Sequence, residues 1–184
     1  MRVVITQNIT LDGVVEAIDG WFAPSNGEDE MLDLQAKLQE MMKRQEALLL
    51  GRVTFEEFRG YWPLQTDDTT GVTDHLNRVQ KYVVSQTLQD PGWKNTTVLS
   101  SAPLDEVRTL KERPGAELGV TGSITLCRSL MEAELVDEYR LFVYPILLGQ
   151  GRRLFTEGTD KNKLRLVEST AFQSGIVLLT YAYR

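Results

Sequence analysis

Two glycine turns carry the residue types that hold phosphate. Residues 48–55, Leu-Leu-Leu-Gly-Arg-Val-Thr-Phe, read as a buried apolar strand that turns at Gly51 into a helix containing Phe55 and Phe58. The unpaired amides and macrodipole of such a helix start attract phosphate, and Arg52 and Thr54 add a cation and a hydroxyl. Taken alone, the segment is more often an ordinary glycine turn beside a solvated arginine. A second turn of the same kind follows Val120, where Thr121, Gly122 and Ser123 lead into a helix beginning Ile124, Thr125, Leu126. Gly122 permits close backbone approach to a ligand, and Ser123 is placed to cap the helix. Ligands of open α/β sheets gather at the carboxyl ends of strands, so the two turns can clasp one pyrophosphate.

A third polar segment, Ser85, Gln86 and Thr87, ends an apolar strand and can take a terminal phosphate or ribose, or can simply turn the chain. These three elements together point to a phosphorylated dinucleotide. Near the N-terminus, Asn8, Thr10, Asp12 and Gly13 pass from a strand into a turn. Asp12 is a candidate acid there, or a turn residue bonded to its own backbone. Trp21 and Phe22 offer an apolar wall, or core. Gly149-Gln150-Gly151 reads as a hairpin turn, Arg152 and Arg153 as surface charges, with Arg152 within possible reach of a substrate phosphate if the turn folds back.

The elements that must position these residues follow from periodicity. Short β-rich runs occupy residues 3–9, 47–50, 81–85, 96–99, 117–120, 137–144, 164–169 and 176–183. Met31, Leu34, Leu38, Met41 and Met42 fall at helical spacing, as do Ile124, Cys127 and Met131. Strands alternating with helices imply a largely parallel sheet covered on both faces, and the strand-rich ending implies antiparallel strands at one edge. Residues 23–27 and 64–71 are expected to be the least ordered. The strands at 137–144 and 176–183 look like exposed edges and suggest a homodimer.

A chain of 184 residues with 42% hydrophobic and 25% charged residues suits one α/β domain spanning 1–184. A net charge of −6 without a basic stripe argues against nucleic acid as a partner. No apolar stretch approaches the length of a membrane span, so no membrane partner and a cytoplasmic location are expected. One cysteine and one histidine cannot build a Cys/His zinc cluster, and no metal is expected. Cys127 reads as inert core, and His75 as a solvated residue of a polar helix.

Taken in order, 10–13 (Thr-Leu-Asp-Gly), 50–55 (Leu-Gly-Arg-Val-Thr-Phe), 81–88 (Lys-Tyr-Val-Val-Ser-Gln-Thr-Leu), 120–123 (Val-Thr-Gly-Ser), 135–138 (Leu-Val-Asp-Glu) and 144–151 (Tyr-Pro-Ile-Leu-Leu-Gly-Gln-Gly) resemble the dihydrofolate-reductase-like family. Within it they are most similar to the C-terminal reductase domain of bacterial riboflavin-biosynthesis deaminase-reductases and its stand-alone relatives. The resemblance implies a three-layer α/β/α fold around a mixed, mostly parallel sheet of about eight strands. It implies NADPH as cofactor and hydride transfer to a small heterocycle, of the 5-amino-6-(5-phosphoribosylamino)uracil reductase type or a dihydrofolate-reductase-like relative. Gly51, Arg52 and Thr54 would bind pyrophosphate, Ser85 to Thr87 the adenosine phosphate, and Gly122, Ser123, Ile124, Thr125 and Leu126 the second phosphate turn. Asn8, Thr10 and Trp21 would face substrate, with Asp12, and Glu30 from the helix start Glu28-Asp29-Glu30, as candidate acids. A Gly-Gly pair common in the family is Thr121-Gly122 here, where a cis bond is suggested by analogy. A non-catalytic nucleotide-binding or dimerisation module, or a reductase of an unrelated small molecule, stand as alternatives.

Overall fold

The computed structural model describes residues 1–18, 20–22, 28–156 and 163–183, without the side chains of Glu28 and Asp29. The segment 23–27, expected to be loose, lies outside the described residues. Strand β2 (Gln45–Gly51) shows how the centre is specified: Ala47, Leu48, Leu49 and Leu50 are all buried, as a parallel strand covered on both faces requires. Ala47 and Leu49 join the core that holds Val107, Cys127 and Leu130. Leu48 and Leu50 pack the other way, against Phe55, Leu76 and Trp93. Alternation along one strand therefore feeds two cores.

The other strands are β1 (Arg2–Thr10), β3 (Gln80–Val84), β4 (Thr96–Leu99), β5 (Glu117–Val120), β6 (Glu138–Tyr144), β7 (Leu164–Ala171) and β8 (Val177–Tyr183). They form one sheet in the order β4-β3-β2-β5-β1-β6-β8-β7. Every pairing from β4 to β6 is parallel, and β8 pairs antiparallel with both β6 and β7. Helices α1 (Leu32–Arg44), α2 (Arg52–Tyr61) and α3 (Val72–Arg78) cover one face. Helices α4 (Pro103–Glu112) and α5 (Ile124–Glu132) cover the other. The eight-stranded mixed sheet and its three layers agree with the sequence expectation.

Two expectations about edges need correction. Strands β6 and β8 are interior, because β6 pairs with β1 on one side and β8 is covered by β7. The edge on that side of the sheet is instead β7, where Leu166 and Val167 are exposed. Gly149-Gln150-Gly151 does not join paired strands. It belongs to a loop folded back on the end of β1, with Val14 bridged to Arg153 and Val15 N–H donating to the Arg152 carbonyl. The Thr121-Gly122 bond is trans, like the other described peptide bonds.

Beneath α1 the sheet carries charge. Arg140 on β6 donates two hydrogen bonds to Glu117 on β5, at 2.7 and 2.6 Å, and one to Glu138 at 2.7 Å. All three residues are buried. The bidentate pair reaches across β1, which lies between β5 and β6, and ties both neighbours to one register.

His75 is not solvated. It is buried on the inner side of α3, with Nε2–H donating to Gln45 Oε1 at 2.7 Å, and Nδ1 has no partner among the described residues. Burial, reinforced by the charges of Arg78 and Lys81, pushes its pKa down to about 4. The unfolded imidazole titrates near 6.5, so as pH falls the unfolded chain binds the proton first. Unfolding free energy is therefore expected to fall by up to about 3 kcal/mol between pH 6.5 and 4 on this account. Denaturant melts across that range should show the slope, and His75→Gln should flatten it; an unchanged slope in the variant would count against the buried neutral imidazole.

Candidate active site

The two glycine turns meet. Strands β2 and β5 are adjacent and parallel, so their carboxyl ends deliver α2 and α5 side by side, one onto each face of the sheet. Ser123 Oγ accepts from Gly51 N–H at 2.8 Å and donates to Thr54 Oγ1 at 2.8 Å, while Ser123 N–H donates to the same Thr54 oxygen at 3.0 Å. Contrary to the sequence expectation, Ser123 does not cap its own helix with its side chain. It fastens one helix start to the other. A Cβ at Gly51 would lie 2.7 Å from Ser123 Oγ, and one at Gly122 2.7 Å from Thr54 Cγ2, so both glycines are required by the fit between the turns. Gly122 and Ser123 take left-handed φ values of 60° and 49°, which turns the chain sharply off β5.

From below, Gln7 on β1 donates its buried amide to the Gly122 carbonyl at 2.9 Å and approaches Cys127 Sγ at 3.3 Å. Cys127 is core, as expected, and burial pushes its thiol up to about 11. The clasp uses the amides of Gly51 and Ser123, while the first helical amides, at 52–54 and 124–126, have no acceptor within their helices. Gly51, Arg52, Thr54 and Gly122 to Leu126 line one continuous cleft of about 1200 Å³, larger than the roughly 300–1,000 Å³ of a typical small-ligand pocket. Thr54 itself is buried, and its hydroxyl oxygen serves the clasp.

The third polar segment stands at the same end of the sheet but outside the cleft lining, which takes in Val84, Pro103 and Leu104 there. Ser85 Oγ accepts from the Thr87 and Leu88 amides at 3.2 and 2.9 Å and closes its own turn, leaving Gln86 and Thr87 exposed. The wall formed by the start of α4 carried no sequence signal beyond a proline at its first position.

On the α1 face the cleft continues as a second arm. Asn8, Trp21, Leu34, Leu38, Phe142 and Tyr144 border it, and Arg140 and His75 also line the cleft. Trp21 donates its indole N–H to the Glu16 carbonyl and stands edge-on to Tyr144 with ring centres 5.2 Å apart. Burial raises the Tyr144 phenol, so it stays protonated at neutral pH. The expected acids are elsewhere. Asp12 accepts from Thr10 Oγ1, Leu148 N–H and Gly149 N–H, bonds that hold its carboxyl down at about 2, and it lies outside the cleft lining. An acid already ionised at that pH has no proton to donate at neutrality. Thr10 is buried and accepts from Val14 N–H in the same loop tie. Glu30 is exposed and outside the lining, and Asp33 of α1 turns to the amides of Leu34 and Gln173. The side chains of Glu28 and Asp29 lie outside the described residues.

Known proteins share this fold. The family model described as the RibD C-terminal domain matches residues 2–178. The uncharacterized protein YyaP of Bacillus subtilis is 28% identical over 184 residues, covering 98% of this chain and 94% of its own. In structure, the chain is similar to a putative riboflavin biosynthesis protein from Shewanella, with a TM-score of 0.72 and 22% identity over 100% and 99% of the two chains. A dihydrofolate reductase from Enterococcus faecalis, solved in complex with NADP(H), superposes with a TM-score of 0.63 at 15% identity, covering 100% of this chain and 96% of that one.

Removing the hydroxyl that joins the turns should be costly. Ser123→Ala leaves the Gly51 amide without its acceptor and is expected to destabilise the fold by about 1–3 kcal/mol. Ser123→Gly loses the same hydroxyl but relieves a left-handed backbone by about 1–2 kcal/mol, so it should be less destabilised. Chemical denaturation of both variants checks this; no loss in Ser123→Ala would mean that the hydroxyl does not carry the clasp, and equal losses in the two would mean that the left-handed backbone at residue 123 carries no strain.

Proposed function

The chain belongs to the RibD C-terminal domain family, and on that premise we propose that it is an NADPH-dependent reductase that delivers a hydride to a small heterocycle or related flat acceptor. The observation that carries this reading is the hydroxyl clasp, which sets two helix N-termini at neighbouring strand ends along one cleft. Paired N-termini at the point where helices leave to opposite faces suit a pyrophosphate. Arg52 stands at the α2 start, paired with Glu56 across one helical turn at 2.6 Å, an exposed pair that a phosphate can replace at small cost.

Bound there, the dinucleotide supplies the hydride. The protein's part is to bind and orient. The amides at 52–54 and 124–126 take the pyrophosphate, and Gln7 keeps the Gly122 peptide fixed from beneath. Asn8, at the carboxyl-terminal part of β1 and in register with Phe142, marks the junction of the two arms. Trp21 and Tyr144 enclose the far side of the second arm, and the Tyr144 O–H is a donor available to a substrate heteroatom. With Asp12 committed to its loop, the proton that accompanies the hydride comes from water or through Tyr144.

Trp21 and Trp62 both line the cleft, so NADPH titration should quench intrinsic fluorescence. At free NADPH a hundredfold above Kd, linkage adds about 2.7 kcal/mol, which raises Tm by roughly 5–10 °C in a chain of this size. Absence of both responses at millimolar NADPH would refute the assignment. Saturable binding without cofactor oxidation by pterins, pyrimidines or quinones would favour a binding module.

A further inference from the structure

We infer that the second arm of the cleft takes an uncharged, planar aromatic or quinonoid compound, and not one that carries its own phosphate. The inference rests on the cofactor assignment above for which arm is left to substrate. Its first support is the wall chemistry. The residues that α1 turns toward the cleft are Leu34, Leu38, Met41 and Met42, and β6 contributes Phe142 and Tyr144. Phe142 is stacked on Phe172 at 6.2 Å, and Tyr144 meets the edge of Trp21, so the rings are held in place before a ligand arrives. Such a slot favours a flat apolar body through area burial and ring contact.

The second support is charge. Among the described residues, the cations lining this arm are Arg140 and Arg152, and each is already matched. Arg140 is held by Glu117 and Glu138, and Glu138 is shared with the more exposed Arg2, so two guanidiniums face two buried carboxylates. Arg152 is gripped twice by Glu16, through its side-chain Nε at 2.7 Å and its backbone N–H at 3.0 Å, and the pairing pulls the Glu16 carboxyl below its usual range. A phosphate could draw Arg152 from Glu16 as one can draw Arg52 from Glu56, but Arg152 lies in the loop after β6 and not at a helix start, so no helix-start amides offset the released Glu16 carboxylate there. The arm offers a dianion no surplus positive charge, whereas a neutral ring system leaves every pair intact.

The Tyr144 hydroxyl then gives the ring system one hydrogen-bond donor. Reduction of such a compound takes a hydride from NADPH, leaving NADP+, and a proton from water or Tyr144 onto the heteroatom that receives the displaced electron pair; water restores the phenol.

The probe is a matched pair that differs in the ribityl phosphate tail, lumiflavin and FMN, titrated by calorimetry into protein saturated with NADP+, which cannot transfer a hydride. Lumiflavin should bind about tenfold or more tightly than FMN. Leu38→Lys, which places a cation in the arm, should narrow or reverse that ratio. Equal affinities, tighter FMN in the native protein, no binding of lumiflavin, or a ratio untouched by Leu38→Lys would each overturn the inference. Failure of NADPH itself to bind, measured beforehand, would instead overturn the cofactor assignment.

Discussion

One hydroxyl sets the geometry on which the rest depends. Ser123 Oγ stands between the Gly51 amide and the Thr54 hydroxyl, and so couples two helices that pack on opposite faces of the sheet. Without that coupling, α2 and α5 would be two unrelated helix starts, each a weak anion site. With it, their free amides keep a fixed separation and one ligand can engage both. The tight fit has its cost in residue choice. Neither Gly51 nor Gly122 has room for a Cβ, and Ser123 itself stands in a left-handed conformation that an L-residue adopts at a penalty of about 1–2 kcal/mol.

The second constraint is the charged layer beneath α1. Burying one arginine with two glutamates is a poor way to gain stability, because desolvation offsets most of the attraction. Its structural return is register. Glu117 and Arg140 join β5 to β6 over β1, the three strands that place Gly122, Asn8 and Tyr144 around the cleft. The same pairing makes Arg140 electrically silent toward a ligand, and the Glu16 pair does likewise for Arg152. An apolar, aromatic arm with balanced charge and a polar arm of helix amides thus lie along one cleft, a division of labour suited to a phosphorylated cofactor and an uncharged acceptor.

Much of the frame was legible in the sequence because its signals are local. Runs such as Ala47 to Leu50 can be buried only on both faces, and the turns at Gly51 and Gly122 announce where helices begin. What escaped depends on partners far along the chain. Asp12-Gly13 looks like a self-contained turn, yet its carboxylate is consumed by amides 136 and 137 residues away. Ser123 before an apolar helix has the signature of a cap, and nothing local reveals that Thr54 competes for it. His75 sits among Thr73, Asp74, Asn77 and Arg78, whose polarity hides that one side of this short helix faces the core. Strand order is likewise a tertiary property: β6 and β8 have the aromatic, β-branched composition of either an edge or an interior strand. Gln7 was the one recoverable signal, an amide on the apolar face that Val3, Ile5 and Ile9 define.

The central claim is that the two helix starts act as one cradle. Amide hydrogen exchange with and without NADPH tests it most directly. Exchange should slow together at 52–54 and at 124–126, with the same dependence on cofactor concentration. Slowing at only one of the two turns, or at neither while NADPH is bound elsewhere, would contradict it.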